Sequence, residues 1–258
     1  KVLISAFAYG ACGFLLGLIW WLSVRGAGGR TATLSACIPI YMSSQLGKYL
    51  PGNFAHLVAR HWVMRKQISS HSQLVTASFL EALSLLVAAG LLSLLVIRQM
   101  IPVVQTLGVS SEWILAVGLL GLSVVVIVAL GSGRRLSGIK SRFAPNAGWF
   151  VLGAVLTGCL FFLGMGTCYL LVSDGLDPTD WPIALSWVAA AWMIGFLVPG
   201  APGGIGVREF VLIFGLAPIV GEPSALLSAA LFRLVTMVGD GLMALVGWSA
   251  MRLISAKP

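Results

Sequence analysis

Two Pro-Gly pairs precede the side chains in this sequence that are most able to do chemistry. Arg60 lies nine residues after Pro51, and Arg208 lies nine residues after Pro199. The pairs themselves are Pro51-Gly52 and Pro199-Gly200. Because proline removes a backbone donor and the following glycine permits a sharp turn, each pair predicts a break between two helical segments. An arginine just beyond such a break is placed to bind an anion.

The second break is followed by a run of glycines, Gly203, Gly204 and Gly206. Glycine leaves backbone N–H groups unobstructed, and the start of the next helix carries partial positive charge. A phosphate group can therefore dock on these amides beside Arg208. The alternative interpretation is that the glycines only permit a tight turn and close helix packing.

The first break offers a matching set of side chains, Lys48, Asn53 and Arg60. Lys48 and Arg60 are candidate anion ligands, and Asn53 is placed to cap the returning helix. The alternative is that both cations reach the membrane interface without a ligand. The histidines at positions 56, 61 and 71 do not have the spacing of a helical metal pair. Neither a metal site nor a cofactor is predicted.

Four further charges fall within or beside apolar runs: Glu81, Glu209, Arg233 and Asp240. A charge at membrane depth is costly unless it is paired or faces water. We expect an ion pair between Glu81 and Arg233 that links the two halves of the chain. Asp240 lies seven residues beyond Arg233 on a similar helix face and is a second candidate partner. A structural salt bridge and a functional gate both fit this pattern.

The composition indicates what kind of element must hold these side chains. Of 258 residues, 59% are hydrophobic and 9% are charged, with a mean hydropathy of +1.00. A soluble domain carries about a quarter charged residues, so a soluble globular fold is excluded. The formal net charge of +8 is explained mainly by membrane topology, and no nucleic-acid partner is predicted.

Five apolar runs are long enough to cross a bilayer as helices: 2–22, 74–97, 113–130, 149–172 and 224–248. Two further apolar runs, 33–49 and 181–198, each end at a Pro-Gly pair, and a short polar segment follows each of them. These segments are 54–66 and 205–216. We predict two re-entrant hairpins, 33–66 and 181–216, that enter the bilayer and return. The alternative for 33–49 is a complete crossing, since it is about 25 Å long as a helix.

The basic residues predict the orientation of an all-α polytopic membrane protein. With both hairpins re-entrant, ten Lys and Arg residues lie on the cytoplasmic side and two lie outside. The chain is then one membrane domain, 1–258, built as an inverted repeat. The first repeat is 1–97, the linking helix is 113–130 and the second repeat is 149–248. Broken helices at corresponding places of inverted halves indicate a binding site near the bilayer midplane.

These motifs resemble a known family, the transmembrane flippase domain of lysylphosphatidylglycerol synthases and its stand-alone relatives in bacteria and archaea. The matching residues are Leu50-Pro51-Gly52-Asn53 with Arg60, Pro199-Gly200, the run 202–209 and Phe232-Arg233. The resemblance covers nearly the whole chain and implies two inverted re-entrant units that move a lipid head group across the membrane. Many relatives have Gly-Gly-Asp after the first Pro-Gly, whereas residues 53–56 here are Asn-Phe-Ala-His. The head-group contacts of the first half can therefore differ.

The resemblance also implies a substrate and partners. Relatives can be fused to glycosyltransferases or work beside them, so a polyprenyl-phosphate-linked sugar or another glycolipid is a candidate substrate, besides an anionic phospholipid. A glycosyltransferase or a lipid synthase is a candidate protein partner. The predicted function is a lipid flippase, not an enzyme, in the cytoplasmic membrane of a bacterium or archaeon.

Two alternative functions stay open on the sequence. A membrane-embedded lipid-modifying enzyme is favoured by Glu209 beside the glycine run. It is disfavoured because the polar segments hold no Ser/His/Asp, Cys/His or clustered carboxylate set. An accessory scaffold of a lipid or glycan synthase is favoured if both breaks are sealed turns.

Overall fold

The computed structural model describes residues 1–50, 55–65, 70–106, 144, 146–198 and 201–255. These residues form helices and no strand. The α-helices are α1 (Val2–Gly26), α2 (Leu34–Ser43), α3 (Ala55–Met64), α4 (His71–Leu92), α5 (Ile97–Thr106), α6 (Ala147–Val172), α7 (Trp181–Leu197), α8 (Val207–Val220) and α9 (Glu222–Ser255). Short 3-10 helices lie at Gln45–Tyr49, Ser93–Val96, Pro178–Asp180 and Pro202–Gly204.

Six helical segments of the described chain are long and apolar enough to cross a membrane: Val2–Gly26, His71–Pro102, Ala147–Val172, Pro178–Leu197, Pro202–Val220 and Glu222–Leu253. Four of them coincide with the predicted runs 2–22, 74–97, 149–172 and 224–248, and this part of the prediction is confirmed. The predicted linking helix, 113–130, lies outside the described residues.

The two broken regions differ in the length of their helices. In the first, α2 and α3 have ten residues each, about 15 Å, which is half of a hydrocarbon core. In the second, the helical segments Pro178–Leu197 and Pro202–Val220 are each long enough to cross. The sequence placed the end of the last segment at residue 216, but α8 continues to Val220 because the residues beyond Glu209 are uniformly apolar.

Helix α1 packs against α2, α4, α6 and α9, so residues from both halves of the chain surround it. Small residues allow this close packing, as is typical of membrane helices. A Cβ atom at Gly247 of α9 would lie 2.5 Å from the backbone nitrogen of Ser43 in α2, and one at Gly17 of α1 would lie 3.0 Å from Cα of Ile38. The short helix α2 is therefore held directly between α1 and α9.

Candidate functional site

A cavity of about 430 Å³ lies where the two broken regions meet. Its polar and aromatic lining from the first half of the chain consists of Tyr9, Tyr41, Gln45, Lys48, His56, Arg60, Ser78 and Glu81. The second half contributes Phe161, Trp192, Phe196, Ala201, Gly203 and Arg208. The predicted ligands Lys48, Arg60 and Arg208 are therefore brought together, although up to 160 residues separate them in sequence.

Arg60 of α3 is held in a closed site. Its Nη1 donates a hydrogen bond of 2.9 Å to Oε1 of Glu81 in α4, and its Nη2 lies 2.9 Å from Oε2 of the same carboxylate. The guanidinium also lies 4.3 Å from the ring centre of Trp20 and 4.5 Å from that of Tyr41. The Arg60 residue is 1% exposed. This hydrogen-bonded ion pair, with aromatic rings nearby, neutralises the charge of Arg60 and fixes its position.

Lys48 at the end of the Gln45–Tyr49 helix has a carboxylate partner in the other half of the chain. Its Nζ donates a hydrogen bond of 2.8 Å to Asp240 of α9, whose side chain is fully buried. The hydroxyl group of Tyr49 donates a second hydrogen bond to the same carboxylate. Lys48 and Tyr49 thus hold the Gln45–Tyr49 helix against α9 through two hydrogen bonds.

Arg233 of α9 is tied to the second break. Its Nε lies 3.3 Å from Oε1 of Glu209, and its Nη1 donates a hydrogen bond of 3.2 Å to the carbonyl oxygen of Gly203. Glu209 also accepts a hydrogen bond of 2.7 Å from the backbone N–H of Gly206, which caps the start of α8. The guanidinium of Arg233 lies 5.6 Å from the ring centre of Tyr49, so α9 contacts the Gln45–Tyr49 helix here.

The predicted ion pair between Glu81 and Arg233 is wrong. Glu81 pairs with Arg60 of α3, which lies 21 residues earlier in the chain. Arg233 pairs instead with Glu209. Asp240 does not compete for Arg233 in the described structure, because it pairs with Lys48. The link between the halves exists, but it runs through Asp240 rather than Glu81.

Arg208 at the start of α8 differs from the other three cations. In the described part of the chain it has no carboxylate partner, whereas Lys48, Arg60 and Arg233 each have one. Its buried Nε has no hydrogen-bond partner there, as is also true of Nε of Arg60. Its guanidinium lies 5.8 Å from the ring centre of Trp192. A Cβ at Gly195 would lie 2.6 Å from its Cγ, and one at Gly204 would lie 2.5 Å from its Nε. Two glycines therefore provide the space in which this side chain lies.

The glycine run makes a turn, and two of its amides are already used. Gly203, Gly204 and Gly206 have φ of +59°, +72° and +82°, a region that other residues rarely adopt. The N–H of Gly204 donates to the carbonyl oxygen of Ala201 at 2.8 Å, and that of Gly206 donates to Glu209. The expectation that these two amides face an anion is corrected: they stabilise the turn, and the free donor beside it is the Arg208 side chain.

His56 adds a neutral polar group to the cavity. Burial, together with the positive charges of Arg60 and Lys48, lowers the pKa of His56 to about 3. The imidazole is therefore uncharged at neutral pH, and its Nδ1 has no hydrogen-bond partner among the described residues. It can exchange a hydrogen bond with a ligand but adds no charge.

Some predicted positions lie outside the described residues. They are the helix breaks Pro51, Gly52, Pro199 and Gly200, and the capping residue Asn53.

The aromatic residues around the cations were not predicted from the sequence. Trp20 and Tyr41 enclose Arg60, Tyr49 lies beside Arg233, and Trp192 flanks Arg208. The usable signal was the pairing of Trp192 with Phe196 one helical turn later, whose rings stack at 5.2 Å. This pair could not be distinguished in the sequence from the other apolar residues of the run 181–198.

Comparison with known proteins now adds to this geometry. A family model described as the lysylphosphatidylglycerol synthase TM region matches residues 1–244. No curated protein matches the chain. With its apolar helices, the chain is an integral membrane protein. It belongs to the family of the lysylphosphatidylglycerol synthase transmembrane region.

Proposed function

We propose that this protein is a flippase that moves an anionic lipid or a polyprenyl-phosphate-linked glycolipid across the cytoplasmic membrane. The observation that carries the proposal is Arg208, a half-buried cation without a carboxylate partner in the described chain, at a cavity that both halves line. The family match adds a connection with membrane lipids.

A lipid that crosses the bilayer must carry its charged head group through hydrocarbon. A charged head group at the centre of a bilayer costs several kcal/mol even on lenient scales. A cation held at that depth with its own charge unbalanced lowers this cost for an anionic head group, while the chains of the lipid stay in the surrounding bilayer. The guanidinium also matches the geometry of phosphate oxygens better than an ammonium group does.

We propose the inverted repeat and the re-entrant hairpins as the architecture of this transport. Support comes from the short helices α2 and α3, and from the convergence of Arg60 and Arg208 on one cavity. Single cysteines at positions 53 and 201 test it with membrane-impermeant reagents. We expect slow labelling at both, from opposite faces. Rapid labelling of position 53 from the periplasm and of 201 from the cytoplasm would instead establish full crossings.

Transport rather than catalysis is also part of the proposal. Glu209, the one carboxylate beside the glycine run in the described chain, is engaged by both Arg233 and the Gly206 amide. A general base needs a free lone pair near the reacting proton. A glycosyltransferase or a lipid synthase that supplies or consumes the lipid is the corresponding partner.

Reconstitution in liposomes tests the function. The purified chain is mixed with tail-labelled fluorescent anionic lipid, and an impermeant quencher reports the lipid that has changed leaflet. We expect faster exchange than in empty liposomes or with Arg208→Gln protein. A lipid whose mass has changed would indicate an enzyme. Neither exchange nor a changed mass would indicate a scaffold, and either outcome overturns the proposal.

A further inference from the structure

The charges inside the bundle do not balance. We define the interior charge set as the ionised side chains of the two breaks and the helix interiors: Lys48, Arg60, Arg208, Arg233, Glu81, Glu209 and Asp240. It holds four cations and three carboxylates. Three ion pairs use one cation and one carboxylate each. Within the described residues, the set therefore has one positive charge in excess, on Arg208.

This excess does not depend on where protons lie within the pairs. If a buried pair such as Lys48 and Asp240 exchanges a proton, both members become neutral and their sum is still zero. His56 is neutral, so it does not alter the total. The undescribed segments at the two Pro-Gly pairs, 51–54 and 199–200, contain no ionisable residue, and the count covers only the described part of the chain.

A buried cavity accepts a ligand most readily when the two together are neutral. Charges interact strongly at low dielectric constant, and an uncompensated buried charge is strongly unfavourable. A head group with one negative charge leaves no net charge in the site. A zwitterionic or aminoacylated head group leaves a net positive charge, and a pyrophosphate leaves a net negative one.

We infer that the cavity selects a lipid head group with a single net negative charge, held as a phosphodiester by the side chain of Arg208. Phosphatidylglycerol and a glycosyl monophosphate on a polyprenyl chain share this chemistry. The inference rests on the proposed function for its lipid substrate, but it concerns which lipid binds. The cavity, at about 430 Å³, is in the range of pockets that hold small polar groups.

Competitive binding tests the inference. The purified full chain is incubated with an equimolar mixture of dioleoyl phosphatidylglycerol, phosphatidylethanolamine, phosphatidylglycerophosphate and lysyl-phosphatidylglycerol, and native mass spectrometry counts the bound lipids. A second mixture compares a glycosyl polyprenyl monophosphate with the corresponding pyrophosphate. We expect the singly negative lipid to be preferred by about tenfold in each mixture. Preferences within about twofold for all lipids would overturn the inference.

Two variants shift the interior charge in opposite directions. Arg208→Gln makes the set neutral, so we expect phosphatidylethanolamine to replace phosphatidylglycerol as the preferred lipid. Glu209→Gln adds a positive charge, so we expect preference for the glycosyl polyprenyl pyrophosphate over the monophosphate, while the glutamine oxygen can still accept the Gly206 hydrogen bond. Arg208→Lys keeps the charge and is the matched control, with the wild-type order of lipids. An unchanged order in both charge variants would overturn the inference.

The same preparation separates this inference from the proposed function. Selective binding of singly negative lipids without exchange between leaflets refutes the proposed flippase activity and supports the inferred preference for one negative charge. Exchange of singly negative, neutral and doubly negative lipids at equal rates supports the proposed flippase activity and refutes the inferred preference for one negative charge.

Discussion

Arg60 and Arg208 occupy the same position after their Pro-Gly pairs, yet the bundle gives them opposite surroundings. Arg60 is forked to Glu81 and has Trp20 and Tyr41 on its guanidinium. Arg208 lies between glycines and has no carboxylate partner in the described chain. Equivalent sequence positions therefore have different surroundings: the first arginine holds α3 against α4, and the second has no carboxylate to hold it in the described chain.

The difference arises from the neighbours rather than from the arginines themselves. Bulky aromatic side chains surround Arg60, whereas Gly195 and Gly204 lack side chains and so leave room for the side chain of Arg208. A carboxylate lies opposite Arg60 in α4, but Glu209 beside Arg208 is taken by Arg233. Transport and stability should therefore depend on different halves of the molecule.

The largest expected effect is on stability at the closed site. Glu81→Ala leaves the buried guanidinium of Arg60 without its partner, and we expect the free energy of unfolding to fall by about 3 to 5 kcal/mol. Thermal or denaturant unfolding in detergent measures it. The double variant Arg60→Met with Glu81→Leu should recover most of the loss, since an apolar pair needs no partner. An unchanged unfolding midpoint in Glu81→Ala would show that Arg60 is not fixed by this pair.

The next largest effect is expected on lipid transport, from substitutions of Arg208. Arg208→Gln removes charge-assisted hydrogen bonds to the head group, worth about 1.5 to 3 kcal/mol or about tenfold to 150-fold in affinity. We expect lipid exchange in liposomes to fall accordingly, while stability changes by less than about 1 kcal/mol because no ion pair is lost. Arg208→Lys keeps the charge without the fork and should fall between the two. Equal exchange by all three proteins would contradict a ligand role for Arg208.

Two glycine variants separate backbone strain from access to Arg208. Gly204 and Gly206 have φ of +72° and +82°, so alanine at either position should cost about 1 to 2 kcal/mol of stability. A Cβ at Gly204 would lie 2.5 Å from Nε of Arg208, whereas one at Gly206 meets no atom within 4 Å. We therefore expect only Gly204→Ala to impair lipid binding. Equal losses of binding in the two variants would mean that the turn matters more than the arginine.

The smallest effect is expected outside the bundle. Lys1 and Asp174 form an ion pair of 2.9 Å whose side chains are 68% and 76% exposed. Water screens such a pair, so Asp174→Asn should change the free energy of unfolding by about 0 to 1 kcal/mol and leave lipid exchange unaltered. The same unfolding assay applied to Glu81→Ala gives the contrast. A large loss in Asp174→Asn would remove the distinction between the closed interior site and the surface.

The sequence predicted the class of protein and four of the long helices, and it singled out the charged residues of the helix interiors. Helix length and apolar character are local properties, so the runs at 2–22, 74–97, 149–172 and 224–248 could be recognised without contacts. The importance of Arg60, Arg208 and the buried carboxylates followed from the high cost of charge at membrane depth, which is also independent of the fold.

Only the tertiary structure decided which charges meet. An ion pair requires atoms within 3 to 4 Å, and sequence spacing does not determine which distant segments approach so closely. Glu81 therefore had two plausible cations, and the packing of α3 against α4 brings it to Arg60 instead of Arg233. Once the three carboxylates of the interior were matched, Arg208 was left as the excess cation of the described chain. The composition contained that excess, but the packing of α7, α8 and α9 determined which residue carries it.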